Sequence, residues 1–246
     1  MFIYMTLWYV VATVVRRSDL VDIAWGLGFI LLTMLILVSY ENASFRPILA
    51  SLLIFIWGLR LSLYIYLRNS GGVENFRYRK LREEWGKYFF LKSYLEIFIL
   101  RGVLLMLVAI PVLYINTFGG GELGFLDYFG AGIWLLGFAL ESVSDWQLSV
   151  FLKTPENKGK LLKSGLRAFS RHPNYLGEVL QWSGIFFMAL SLPYGYLTVV
   201  GPLTMVLIIS KSINASAVEK NIAQDQEIEE YKKDTGILFP RFRKRV

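Results

Sequence analysis

The chain is expected to be an all-α membrane protein, a bundle of seven transmembrane helices with its N-terminus outside and its C-terminus in the cytoplasm. Three observations carry that expectation. The 246 residues are 55% hydrophobic, 16% aromatic and only 18% charged, far more apolar than an average soluble domain. The apolar residues gather into runs that approach the roughly 20 residues a helix needs to cross a bilayer. The basic residues fall in alternate loops, so that 23 of the 26 Lys and Arg share one side, as the positive-inside rule requires.

Spans are expected at about 2–15, 22–40, 47–67, 94–115, 128–151, 174–192 and 196–209, within a single membrane domain covering 1–246. The first is slightly short and lacks a cationic leader or cleavage site. Arg16-Arg17 forms a basic inner turn, and Asp22 sits at the polar edge of the second span. The third carries Arg60 and Tyr64 four residues apart, hence on one face. Residues 68–92 read as a large inner loop with seven basic residues, opened by Gly71-Gly72. The fourth span holds Arg101. An outer loop, 116–126, has no Lys or Arg; its Gly119-Gly120-Gly121-Glu122-Leu123-Gly124 matches G-x-G-x-x-G only formally, because no strand precedes it and no βαβ unit surrounds it. Glu141 and Asp145 lie near the inner end of the fifth span. Residues 152–173 form the second basic inner loop, and the tail from 210 onward ends in the basic aromatic run Phe239-Pro240-Arg241-Phe242-Arg243-Lys244-Arg245, suited to an anionic membrane surface. Arg46 is the one cation left outside.

Composition also excludes several kinds of function. The net charge of +7 follows the loops between spans, so it gives topology and does not signal a nucleic acid partner. With no Cys, disulfides, thiolate catalysis and Cys-ligated metals are excluded, and a single His does not supply a His-built metal site.

The organising stretch is Ser164-Gly165-Leu166-Arg167-Ala168-Phe169-Ser170-Arg171-His172-Pro173-Asn174-Tyr175-Leu176-Gly177-Glu178. It is a basic loop turning into a helix. Pro173 suits the first helical position, which leaves the N–H groups of the first turn beside Arg171 and His172 as an anion site. Asn174, Glu178 and Gln181 then form one polar stripe entering an apolar segment. Ionisable groups inside a membrane are usually functional, although a juxtamembrane loop with its polar residues satisfied by neighbouring helices is the simpler alternative.

These residues, with Ser144-Asp145 before them and Tyr231 and Phe239-Pro240 after, occur in the order seen in the steroid 5α-reductase family, which the second half of the chain resembles. The segments 22–29 and 57–62 look like its bacterial relatives, long catalogued as a domain of unknown function, and the resemblance covers roughly 19–242. It implies a seven-helix fold in a bacterial or archaeal cytoplasmic membrane. It implies NADPH as cofactor, a lipid-like ketone as substrate, and hydride transfer to the alkene conjugated with that ketone. By the same resemblance Asn174, Tyr175 and Glu178 hold the nicotinamide half, Asp145 the ribose or diphosphate, and Lys160, Arg167, Arg171 and His172 the phosphates. The mammalian enzymes bind the ketone with a glutamate on the second span and a tyrosine on the third; Asp22 and Tyr64 are the nearest candidates here. The first helix is shorter than the family's, which fits a downstream start or a trimmed chain.

Charge that develops on a substrate ketone needs a waiting donor. A carboxylic acid kept protonated by burial suits that role, so Asp22 is expected to act with Tyr64 or Arg60 assisting; a helix N-cap is the structural alternative for Asp22. Arg60 and Arg101 are alternatively partners of Glu96 or Glu141. Trp25, Trp57 and Trp182 are candidates for a pocket wall or for simple packing. Two other functions stay open. Isoprenylcysteine carboxyl methyltransferases share an Arg-His-Pro-x-Tyr motif and use S-adenosylmethionine, and a non-catalytic binding or transport protein would also place charges within spans, although no duplicated half is visible.

Overall fold

In the computed structural model the described residues are 1–40, 44–69, 74–157, 160–215, 231, 234–239 and 241. Their regular structure is helical, and the β structure among them is an isolated parallel bridge between Ser170 and Gly236. The α-helices are α1 (Phe2–Val15), α2 (Leu20–Ser39), α3 (Phe45–Arg68), α4 (Phe76–Trp85), α5 (Phe89–Lys92), α6 (Leu100–Phe118), α7 (Phe125–Lys153), α8 (Pro173–Ala189) and α9 (Val200–Ala215). The Gly71-Gly72 pair, residues 216–230 and the basic end 242–246 lie outside the described residues.

Five helical stretches are long and apolar enough to cross a bilayer: Leu20–Ser39, Phe45–Arg68, Arg77–Phe118, Phe125–Lys153 and Gly195–Ile213. The chain is therefore an integral membrane protein. Helices stand at the two remaining expected positions but are shorter. α1 has 14 residues and α8 has 17, about 21 and 26 Å against a hydrocarbon core of about 30 Å.

The stretch 68–92, read from sequence as a loop, is largely helical. Its Arg, Lys, Leu and Glu residues are good helix formers even without an apolar stripe. The Asn75 side chain caps α4 by accepting the Arg77 N–H at 3.0 Å, and Gly86 ends α4 at φ 47°, a conformation favouring glycine. A π-helical segment, Ser93–Ile99, then joins α5 to α6.

The packing divides the chain into two compact units, residues 1–128 with 186–201, and residues 129–185 with 202–246. In the first, α2 and α3 cross with their backbones nearly touching. A Cβ added to Gly26 would lie 2.7 Å from the Gly58 carbonyl oxygen, and one on Gly58 the same distance from that of Gly26. Small residues let helices meet this way where lipid offers no hydrophobic drive to association. Asn116 on α6 ties three helices together, donating to the Thr33 carbonyl and to Ser51 Oγ, both at 3.0 Å. Arg46 at the start of α3 binds Asp127 through two hydrogen bonds of 2.7 and 2.9 Å and also donates to the carbonyls of Gly120 and Glu122. Arg46 is thus paired, and it fastens the glycine-rich loop that mimicked a nucleotide motif.

In the second unit α7 and α8 run antiparallel in equally close contact. A Cβ on Gly137 would lie 2.5 Å from the Gly177 carbonyl oxygen, and one on Gly177 would lie 2.5 Å from that of Gly137. Seven residues along, a Cβ on Gly184 would meet the Gly130 carbonyl oxygen at 2.5 Å. Two turns separate the two contacts, so they lie on one face of each helix.

Gly177→Val is expected to destabilise the protein in detergent melts by about 2–3 kcal/mol, or to prevent folding, because overpacking against backbone leaves nothing able to yield. Gly132→Ala, where nothing lies within 4 Å, is expected to leave the melting temperature unchanged or slightly raised. Equal effects at the two positions would contradict the α7–α8 contact.

Candidate functional site

The basic loop before α8 is held from two sides within the second unit. Gly165 adopts φ 62° and opens a short 3-10 turn, Gly165–Ala168. The Leu166 N–H of that turn donates to Gln147 Oε1 of α7 at 3.0 Å. From the other side comes the C-terminal segment. Tyr231 donates its hydroxyl to the Arg167 carbonyl at 2.6 Å, and Lys163 Nζ lies 5.9 Å from the centre of the Tyr231 ring. The N–H groups of Arg171 and His172 donate to the carbonyls of Gly236 and Ile237, at 2.9 and 3.2 Å, and the Arg241 N–H donates to the Phe169 carbonyl at 3.1 Å. Ser170 Oγ adds a bond of 2.7 Å to the Leu238 carbonyl. Backbone groups that a free loop would leave to water are therefore paired, which fixes the path of the segment carrying Arg167, Arg171 and His172.

Pro173 opens α8 as the sequence indicates. The His172 and Tyr175 rings stack with centroids 5.2 Å apart and planes 17° from parallel, and Arg167 Nη1 donates to the Arg171 carbonyl at 2.9 Å. Asn174 Oδ1 is buried with no hydrogen-bond partner among the described residues. On the facing helix α7 the side chains of Glu141, Ser144 and Asp145 are buried. Gln181 Nε2 donates to Glu141 Oε2 at 2.6 Å, so part of the polar stripe serves as glue between helices. Gly177 accounts for the closeness: a Cβ there would lie 2.7 Å from the Glu141 nitrogen, and its absence lets the Asn174 and Glu178 helix lie against the carboxylate-bearing turn of α7. Of the expected cofactor residues, Asp145, Arg167, Arg171, His172, Asn174, Tyr175 and Glu178 belong to this assembly; Lys160 is exposed at the far end of the loop.

A second polar cluster lies in the first unit. Asp22, on the first turn of α2, forms an ion pair with Arg101 of α6, and Tyr78 of α4 donates to Asp22 Oδ1 at 2.9 Å. Arg101 Nη2 in turn donates to the Tyr78 hydroxyl at 2.8 Å, closing a three-membered ring of contacts. The α2 N-cap position belongs to Asp19, so Asp22 is not the cap. Arg60 and Tyr64 lie together elsewhere on α3, where the Tyr64 ring has Arg60 at 6.0 Å and Arg68 at 5.4 Å. Trp57 packs edge-on against Phe29, which does the same with Trp25, an aromatic core for this unit. Around the start of α2 a further network joins Arg17 to Asp19, Asn69 to Asp19, and Glu74 to both Arg82 and the Ser18 N–H.

A site made of a basic, backbone-pinned loop, a helix N-terminus, an amide oxygen without a partner and buried carboxylates has the chemistry to receive an anionic, amide-bearing ligand. The chain belongs to the family described as "Protein of unknown function (DUF1295)", whose model matches residues 8–235. It is 30% identical over 173 residues to an uncharacterized protein of Schizosaccharomyces pombe, covering 61% of this chain and 50% of that one. It is also 36% identical over 78 residues to a probable O-methyltransferase of Ustilaginoidea virens, covering 31% of this chain and 28% of the relative. The chain thus spans half or less of the length of these curated relatives. No solved structure matches it.

For the first-unit cluster, Arg101→Met alone is expected to cost about 3–5 kcal/mol, because it strands a partly buried carboxylate, and Asp22→Asn about as much. The double variant is expected to lose far less than the sum. Additive losses in urea or thermal melts would show that the two side chains do not interact.

Proposed function

We propose that the chain is a membrane-embedded reductase that uses NADPH to reduce the alkene of an α,β-unsaturated ketone in a steroid-like or other lipid substrate. The observation that carries this reading is the assembly of the second unit: the unpartnered Asn174 Oδ1 beside Glu178, the buried Asp145, and the basic loop of Arg167, Arg171 and His172, in the order and near the spacing of the steroid 5α-reductases. The full reading has seven spans, an external N-terminus and a cytoplasmic cofactor side. α1 and α8 are then short spans flanked by polar ends.

The residues of the second unit fit such a cofactor. Asn174 Oδ1 is an acceptor suited to a carboxamide N–H, and Tyr175 and Glu178 complete that end. Asp145 suits ribose hydroxyls. Lys160, Arg167, Arg171 and His172 suit phosphates, and several cations on one loop favour the additional phosphate that distinguishes NADPH from NADH. When bound, the cofactor supplies the hydride.

Reduction of an enone places negative charge on its carbonyl oxygen, and a donor must meet it. The sequence offers Asp22 as that donor, assisted by Tyr64 or Arg60; in the structure Asp22 pairs with Arg101 and accepts a hydrogen bond from the Tyr78 hydroxyl. On this reading the Tyr78 hydroxyl turns from Asp22 to give its one proton to the substrate oxygen, and Arg101 holds positive charge against the phenol oxygen that has lost it.

The similarity to a probable O-methyltransferase of Ustilaginoidea virens favours a second reading, transfer of a methyl group from S-adenosylmethionine. Glu178→Gln and Asn174→Ala are expected to abolish NADPH binding while leaving the helical content unchanged. Asp22→Asn and Tyr78→Phe are expected to keep NADPH binding and to lower enone turnover by about a hundredfold or more, the usual loss when a positioned proton donor is removed. Unchanged NADPH affinity in both second-unit variants would overturn the cofactor assignment. Normal turnover by Tyr78→Phe would remove it from the mechanism.

A further inference from the structure

The functional reading takes Asp145 from α7, and a further α7 side chain, Gln147, touches the basic loop. Its Oε1 accepts the Leu166 N–H at 3.0 Å. The fit is close on the loop side as well, since a Cβ on Gly165 would lie 2.5 Å from the same oxygen. Gly165 therefore does two things: it supplies a backbone at φ 62°, and it leaves the space in which the Gln147 amide docks. One residue further on, the Arg167 carbonyl takes the Tyr231 hydroxyl at 2.6 Å. Two peptide groups of the turn, 165–166 and 167–168, are thus held, one by α7 and one by the C-terminal segment.

We propose that Gln147 is a positioning residue for the ligand site: it anchors the start of the 165–168 turn to α7 and so fixes the direction in which Arg167, Arg171 and His172 leave the loop. It acts through the backbone and needs no contact with the ligand. The consequence follows from where the pinning lies. Between Gln147 and the first pairing with the C-terminal segment the loop has few free torsions, so little order has to be imposed when an anion binds. Without Gln147 the Leu166 amide loses its acceptor and the turn is tethered on one side only.

This inference rests on the NADPH reading for its ligand but not for its first readout. The experiment uses the full chain in detergent and measures hydrogen exchange of the 165–172 amides without ligand, followed by NADPH titration and thermal melting. In Gln147→Leu the amides are expected to exchange faster and the Kd for NADPH to rise about tenfold, the scale of one lost hydrogen bond, at an unchanged melting temperature. Gln147→Glu keeps an acceptor oxygen and is expected to restore slow exchange. Gly165→Ala, which drives a methyl group against Oε1, is expected to reproduce the Leu variant should that one fail to fold. Unchanged exchange in both Gln147→Leu and Gly165→Ala would overturn the anchoring, and faster exchange with unchanged affinity would overturn the positioning role. Slow exchange that depends on Gln147 in a protein that binds no NADPH would support the anchoring and overturn the cofactor assignment instead.

Discussion

The contact between Gly137 and Gly177 is the constraint on which the second unit depends. At that point the backbones of α7 and α8 approach until a single methyl group on either would overlap a carbonyl oxygen. In a bilayer, apolar side chains gain little by leaving lipid for one another, so helices that must stay together rely on close backbone packing and on polar links. Both occur here: the glycine pairs set the distance, and Gln181 with Glu141 adds a buried hydrogen bond one turn from the contact. Everything polar in the candidate site hangs from this pair of helices. Glu141, Ser144 and Asp145 project from one, Asn174 and Glu178 from the other, and the loop between them is the basic one.

The first unit solves its polar problems in another way. Two ion pairs stand out there: Arg46 takes Asp127 and two loop carbonyls, and Asp22 takes Arg101 with Tyr78 between them. Arrangements of this kind add little net stability over apolar packing, but losing one partner is costly, and they fix a unique geometry. On the proposed reductase reading, that property is what the Asp22 cluster brings to proton donation. A hydroxyl held between a carboxylate and a guanidinium keeps one orientation and has a cation ready for the charge it would acquire.

Much of this was legible in the amino-acid sequence. Charge asymmetry between loops and the lengths of the apolar runs located a helix at each expected position, because both signals come from the solvent and not from tertiary packing. The organising motif also read correctly as loop then helix, since Pro173 marks the boundary. Other features were hidden. Residues 68–92 looked like a solvated loop because helix periodicity is sought among apolar residues, and α4 is built from Arg, Lys and Glu; Tyr78 was lost with it. Arg101 drew attention as a charge within a span, but sequence spacing cannot pair it with a carboxylate 79 residues away. Gly177 looked like part of a ligand motif and proves to be a packing residue. Gln147 carried no signal, for its partner is a backbone N–H and any residue type would have offered that.

The direct test of the central claim is a titration of the purified full chain with NADPH, NADH and S-adenosylmethionine, each followed by intrinsic fluorescence or calorimetry. A reductase whose basic loop reads the additional phosphate binds NADPH more tightly than NADH and does not bind S-adenosylmethionine. Binding of S-adenosylmethionine without NADPH would contradict the account and make the same loop and helix a methyltransferase site.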